Sequence, residues 1–173
     1  VSGIDPTMAA KAVETFSGVG RRFDIRGEVD EVTLVDDYAH LPTEIDAVLT
    51  AARTSGDGWR RIVAVFQPNR FNRMSEISAE YADAFRSADV VVVTDIYASG
   101  TAVIEGVTGH LVVDAIMHRH PDTEIHWVQS RSDLASYVSG LLEAGDVCIS
   151  MGCGDIEHLP AEIMSLRGSL GDS

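Results

Sequence analysis

Three short stretches of this chain are almost wholly apolar: Ile62-Val63-Ala64-Val65-Phe66, Val90-Val91-Val92-Val93 and Val147-Cys148-Ile149-Ser150-Met151. A strand with one face on a core alternates apolar and polar residues. An unbroken run means burial on both faces, as in a parallel sheet with helices on each side. Between the runs the period changes to that of amphipathic helices. Ile45, Val48, Leu49 and Ala52 fall at i, i+3, i+4 and i+7 after Pro42, and Gly56 and Gly58 close that segment. Met74, Ile77, Tyr81 and Phe85 share a face in the next interval, and Gly109 to Met117 reads as a further helix. Leu134, Val138, Leu141 and Leu142 line another, and Pro160 to Leu166 forms the last. Glu124 to Val128 adds a strand.

The start of the chain reads differently. Asp5 as N-cap and Pro6 at the first helical position open a helix to Phe16, whose face of Ala9, Ala12, Val13 and Phe16 is short for an independent unit. Gly18 and Gly20 end it. Arg21 to Arg26 alternates as a strand, Gly27 to Glu31 forms a turn, and Val32 to Val35 a second strand. This hairpin implies an antiparallel edge on an otherwise mostly parallel, doubly wound α/β sheet. A chain of 173 residues suffices for one such domain.

Composition excludes several classes. A net charge of −14 leaves no basic face for a phosphate backbone, so nucleic acid is not an expected partner. Two cysteines, Cys148 and Cys153, make neither a disulfide framework nor a metal-ligand spacing. No run reaches the ~18 apolar residues of a membrane helix, and no signal-peptide pattern is present. These features predict a cytoplasmic protein with no membrane partner.

In open α/β sheets ligands bind where strands end, near the switch point of the topology. Polar clusters follow the strands here: Asp36-Asp37-Tyr38-Ala39-His40, Gln67-Pro68-Asn69-Arg70-Phe71-Asn72-Arg73, Thr94-Asp95-Ile96-Tyr97 and Gly152-Cys153-Gly154-Asp155. Each has a bland explanation as well. Adjacent aspartates suit a turn, and Gly-Cys-Gly-Asp suits a tight strand-to-helix connection. Arg70 and Arg73 at a helix start oppose the helix dipole, which favours an anionic ligand over mere solvation. The phosphate-cradling pattern GxxxxGK[ST] does not occur in the chain.

Taken in order, four motifs resemble the C-terminal domain of the Mur ligases, in the branch that joins L-alanine to UDP-N-acetylmuramate. They are Arg21-Arg22-Phe23, Asp36 to His40 with Pro42-Thr43-Glu44, Phe66-Gln67-Pro68 with Arg70 and Arg73, and Gly152 with Gly154-Asp155-Ile156. The match runs from Gly18 to Ile156. The resemblance implies a three-layer Rossmann-like domain over 21–173, with 1–20 as the end of a central ATPase domain that follows an N-terminal domain for the UDP-sugar. It implies an ATP-dependent ligase in which ATP turns the substrate carboxylate into an acyl phosphate that the amine of L-alanine attacks, in peptidoglycan synthesis. Arg22 and His40 would act catalytically, with Arg22 at the ATP phosphates and Asp37 at the ribose hydroxyls. Tyr38, His40, Arg70, Arg73, Gly152 and Asp155 would line the amino-acid pocket. No metal ligand is expected in this chain, Mg2+ being held mainly by the central domain. Three positions depart from the family pattern: Leu41 and Asn69 stand where histidines are usual, and Cys153 where alanine is common. A muropeptide-recycling ligase of the same superfamily and a non-catalytic nucleotide-binding module remain open as alternatives.

Overall fold

The computed structural model describes residues 21–170, so the expected Asp5–Phe16 helix and the division at residue 20 lie outside the described residues. Six strands form one sheet in the order β1-β2-β6-β3-β4-β5. They are β1 (Asp24–Val29), β2 (Val32–Asp37), β3 (Ile62–Phe66), β4 (Val90–Thr94), β5 (Glu124–Val128) and β6 (Val147–Met151). Only β1 runs antiparallel, against β2. The helices are α1 (Pro42–Thr54), α2 (Phe71–Ile77), α3 (His110–Arg119), α4 (Arg131–Leu141) and α5 (Leu159–Leu170), with 3-10 turns at Ser78–Asp83 and Asp155–His158.

The apolar runs do what their pattern demands. In β3, Ile62, Ala64 and Phe66 join the core under α1, α2 and α3, while Val63 and Val65 join the core under α4 and α5. β4 and β6 divide between the two faces in the same way. All three strands are fully buried. The result is the expected doubly wound, three-layer sheet with one antiparallel edge.

Several boundaries differ from the sequence reading, and β2 runs on to Asp37 where it was expected to end at Val35. β1 begins at Asp24 rather than Arg21 and continues through Gly27 to Val29, where a turn was expected. A register irregularity between Ile25 and Gly27 absorbs one residue and lets the strand pass through the glycine. The turn itself shrinks to Asp30 and Glu31, both at positive φ, the geometry that matches the twist of a two-residue hairpin. The second helix stops at Ile77, and a 3-10 turn carries Tyr81 into the core, so Met74, Tyr81 and Phe85 still share a buried face. The last helix starts at Leu159 and extends to Leu170.

This topology fixes where a ligand can lie. After β2 and β3 the chain turns to the face of α1 and α2; after β6, which sits between them, it turns to the opposite face and α5. The connections therefore diverge above the end of β6 and leave a crevice there, the switch point of the sheet. Among the described residues no helix is long and apolar enough to cross a membrane.

Candidate ligand site at the switch point

The three loops that border the crevice are those that follow β2, β6 and β3, and each is fixed by buried polar groups. Asp36 and Asp37 end β2 at 0% and 4% exposure. Asp36 takes a bidentate bond from Arg21 (Nε 2.7 Å, Nη2 3.0 Å) and a third contact from Arg26 Nη2 at 3.1 Å. Arg21 also donates to the Gly152 carbonyl at 2.9 Å and lies 3.4 Å from Glu157, so it joins the β2 end to the β6 turn. Burial alone would lower the Arg21 pKa; the hydrogen bonds and charge of Asp36, with Glu157, more than reverse this and hold it above its ordinary value.

Asp37 accepts the backbone N–H of Phe23 at 2.6 Å through one oxygen and that of Ala39 at 2.7 Å through the other. Arg21 and Phe23 both adopt positive φ, a costly conformation for side-chain-bearing residues that these bonds hold in place. The alternation is thereby reset. Arg21 turns inward, while Arg22 is exposed on a groove of about 510 Å3 that it shares with Asp37, Tyr38 and Glu44, over an apolar wall that includes Phe23 and Val48. Each Asp37 oxygen keeps a second lone-pair direction after its backbone bond.

Tyr38 is 42% exposed, with the Arg21 guanidinium 5.4 Å from its ring centre and the His40 ring edge-on at 5.3 Å. His40 Nδ1 lies 3.0 Å from the Tyr38 carbonyl. A carbonyl only accepts, so Nδ1 carries the hydrogen and the neutral ring offers Nε2 as an acceptor. The His40 backbone is clamped twice: its carbonyl accepts the Tyr81 hydroxyl at 2.7 Å, and its N–H donates to Glu44 at 3.0 Å. Glu44 also accepts the Leu41 N–H at 3.1 Å. This is one half of a capping box, since Leu41 has no side-chain acceptor to return. Burial would raise the Glu44 pKa; the two backbone bonds and the charges of His40 and Arg22 outweigh it and lower the pKa. Tyr81, with a fully buried side chain, has its pKa pushed up by burial, so its hydroxyl keeps its proton.

The third loop carries two buried amides on either side of Pro68. Gln67 donates to Asp155 at 2.7 Å and accepts the Ile156 N–H at 3.2 Å, which holds the turn after β6. That turn needs glycine: a Cβ on Gly154 would meet Gln67 Oε1 at 2.6 Å and overlap the Tyr97 ring, and one on Gly152, at φ 147°, would lie 2.9 Å from the Gln67 carbonyl. Asn69, 2% exposed, accepts from Arg73 Nη1 at 2.7 Å. Arg70 sits at the N-cap of α2 with φ 65° and an exposed side chain.

The sequence-derived residues thus fall into two groups. His40, Arg70, Arg73 and Gly152 lie on or just beyond the connections that follow β2, β3 and β6, and Arg22, Asp37 and Tyr38 line the adjoining groove. Asp155 is engaged elsewhere: besides Gln67 it lies 3.4 Å from Arg131 Nε, and Arg131 also pairs with Glu162 at 2.9 Å. Sequence reasoning did not assign roles to Arg21, Gln67, Asn69 or Tyr81. The signal for Gln67 and Asn69 was their place beside a proline at a strand end; nothing local marks Arg21 or Tyr81.

Comparison with known proteins agrees with this geometry. Residues 21–154 match the family described as Mur ligase, glutamate ligase domain. The UDP-N-acetylmuramate–L-alanine ligase of Pelobacter propionicus is 45% identical over 143 residues, covering 82% of this chain and 30% of that protein. Among solved structures, the UDP-N-acetylmuramate-alanine ligase of Thermotoga maritima superposes with a TM-score of 0.72 at 29% identity, over 97% of this chain and 34% of that one. A murein peptide ligase from Psychrobacter arcticus superposes with a TM-score of 0.75 at 24% identity, over 96% of this chain and 34% of that one, a likeness of fold alone. The chain spans about a third of the length of these proteins.

Proposed function

The chain belongs to the Mur ligase family, and from that premise we propose that it is the amino-acid-presenting C-terminal domain of a cytoplasmic ligase that joins L-alanine to UDP-N-acetylmuramate at the expense of ATP. In this reading residues 1–20 end the preceding ATPase domain and 21–173 form this one. The supporting observation is the switch point above β6, where the connections after β2, β3 and β6 carry a histidine, two arginines and a glycine turn, a set of groups whose chemistry suits a small zwitterion.

A carboxylate is a poor electrophile, and ATP supplies the phosphoryl group that activates it. This domain's own residues then have three tasks. Arg70 and Arg73 take the L-alanine carboxylate, for which a planar guanidinium offers paired donors. His40 Nε2 takes a proton from the L-alanine ammonium, which frees the amine lone pair to attack the acyl phosphate, and Tyr38 and the Gly152 turn bound the pocket. Arg22 faces the developing phosphate charge across the domain junction, beside Asp37 as an acceptor for ribose hydroxyls. Mg2+ would be held mainly by residues of the preceding domain, and no residue of this chain is assigned to it.

The test is phosphate release by the full-length ligase with UDP-N-acetylmuramate, ATP and a panel of acceptors. Release that requires both the nucleotide sugar and L-alanine is expected. Release only with a preformed peptide would replace this reading with the muropeptide-recycling one, and no release with any acceptor would leave a binding module.

A further inference from the structure

Arg73 is not free to swing, and what holds it is a residue the proposed mechanism leaves unused. Its Nη1 donates at 2.7 Å to Oδ1 of Asn69, whose side chain is buried. Asn69 is fixed in turn through its backbone neighbours: Tyr97 N–H bonds the Pro68 carbonyl at 2.9 Å, and Arg70 N–H bonds the Tyr97 carbonyl at 2.9 Å. The β3–α2 connection is thereby joined to the loop after β4 by a parallel bridge between Asn69 and Tyr97. Two consequences follow from covalent geometry. Nη1 is the guanidinium nitrogen cis to Cδ, so pinning it leaves the side-on edge, Nε–H with Nη2–H, as the pair for a carboxylate. Because the Asn69 oxygen is committed to Arg73, the amide NH2 points the other way, and among the described residues neither that NH2 nor the Arg73 side-on edge has a hydrogen-bond partner.

We propose that Asn69 is the positioning residue of the amino-acid pocket: its amide oxygen pins Arg73 by Nη1 and aims the side-on edge at the substrate carboxylate, and its NH2 adds a donor beside it. The inference rests on the ligase reading given above. An amide suits the task because it is acceptor and donor at once and keeps both functions at every physiological pH. An imidazole could supply both only while neutral; protonated, it loses its acceptor and places a cation against Arg73.

Full-length ligase with Asn69→Leu and Asn69→His tests this. Asn69→Leu keeps the volume and removes both functions. It should raise KM for L-alanine roughly tenfold or more, the size of losing a hydrogen bond to a charged group, while KM for ATP stays within about twofold and the thermal midpoint identifies any general loss of folding. Asn69→His should match Leu less and wild type more at about pH 8, and lose amino-acid affinity as pH falls through about 6.5, the ordinary imidazole range. The other titratable or charged groups around this loop are Arg70 and Arg73 on α2, His40 and Glu44 beyond β2, Tyr81, Tyr97, and Cys153 and Asp155 beyond β6. All are common to variant and wild type, so the ratio of their KM values isolates position 69. A ratio that stays flat from about pH 5.5 to 8.5 would overturn the proposal, as would wild-type affinity for L-alanine in Asn69→Leu. If wild type releases phosphate only with another acceptor, the function assigned above falls, and the same ratio measured with that acceptor still decides the role of Asn69. A wild-type ligase that neither turns over nor binds any amino acid or peptide by calorimetry overturns both.

Discussion

Two adjacent arginines with one sequence context do opposite work. Arg21 is paired on three sides, its partner Asp36 is fully buried, and removing one member of a buried pair strands the other charge. Arg21→Ala should therefore cost about 3 kcal/mol of stability, softened by the Arg26 contact that remains, in chemical denaturation. Arg22→Ala, exposed on the groove, should change stability by no more than about 0.5 kcal/mol. Equal losses for the two would contradict the inward and outward assignment. The alternation of a strand cannot separate such neighbours, because it is two positive φ angles, at Arg21 and Phe23, that reset which side chain points in. The cysteines divide as sharply. Burial pushes the Cys148 thiol up to about 12, whereas Cys153 sits half-buried in the β6 turn. Since thiolates are the reacting species, a thiol-specific reagent at pH 8 should label one cysteine of the native chain, Cys153, and both after unfolding; two fast sites in the native protein would mean the β6 core opens.

At the scale of elements, the start of α1 gives a pH prediction with a definite sign. The folded pKa of Glu44 lies below its ordinary value of 4.5. A depressed carboxylate stabilises the fold above the unfolded pKa, and that contribution disappears as pH falls through the folded pKa. Wild type should exceed Glu44→Gln by up to about 1 kcal/mol near neutrality, with the gap closing below about pH 4.5; a gap independent of pH would show that the carboxylate charge is irrelevant to the cap. The N-cap of α3 makes the steric counterpart: a Cβ on Gly109 would overlap the Thr94 carbonyl and lie 2.9 Å from Trp127, so Gly109→Ala should cost about 1–3 kcal/mol. Much at this scale was legible. β3, β4 and β6 announced themselves as apolar runs, and α1 by its proline and its i, i+3, i+4, i+7 face. The β1 boundary was not, because a bulge consumes one residue without disturbing composition. Nor was the 3-10 turn at Ser78–Asp83, because Met74 and Tyr81 bury under either helix type. The site loops were legible as polar strand ends; the Gln67 clamp on Asp155 was not, since it joins residues 88 positions apart.

For the whole molecule, the ligase reading proposed above has a body of net charge −14 contribute to the use of a polyanion. Its long-range field repels nucleotide, and salt screens that repulsion, which lowers KM for ATP. The short-range attraction by Arg22, exposed on its groove, is screened by the same salt, which raises KM. Wild-type kinetics alone mix the two terms and can run in either direction. The ratio of KM for ATP between Arg22→Ala and wild type, measured in the full-length ligase, cancels the field common to both and leaves the arginine. Screening shortens from about 10 Å at 0.1 M to about 3 Å at 1 M salt, so that ratio should start well above one and shrink as salt rises. A ratio that is large but unaffected by salt would recast Arg22 as a packing residue of the closed junction. A ratio of one throughout would move phosphate binding off the described residues and leave Arg70 and Arg73, near the end of β6, as the proposed contact with substrate among them.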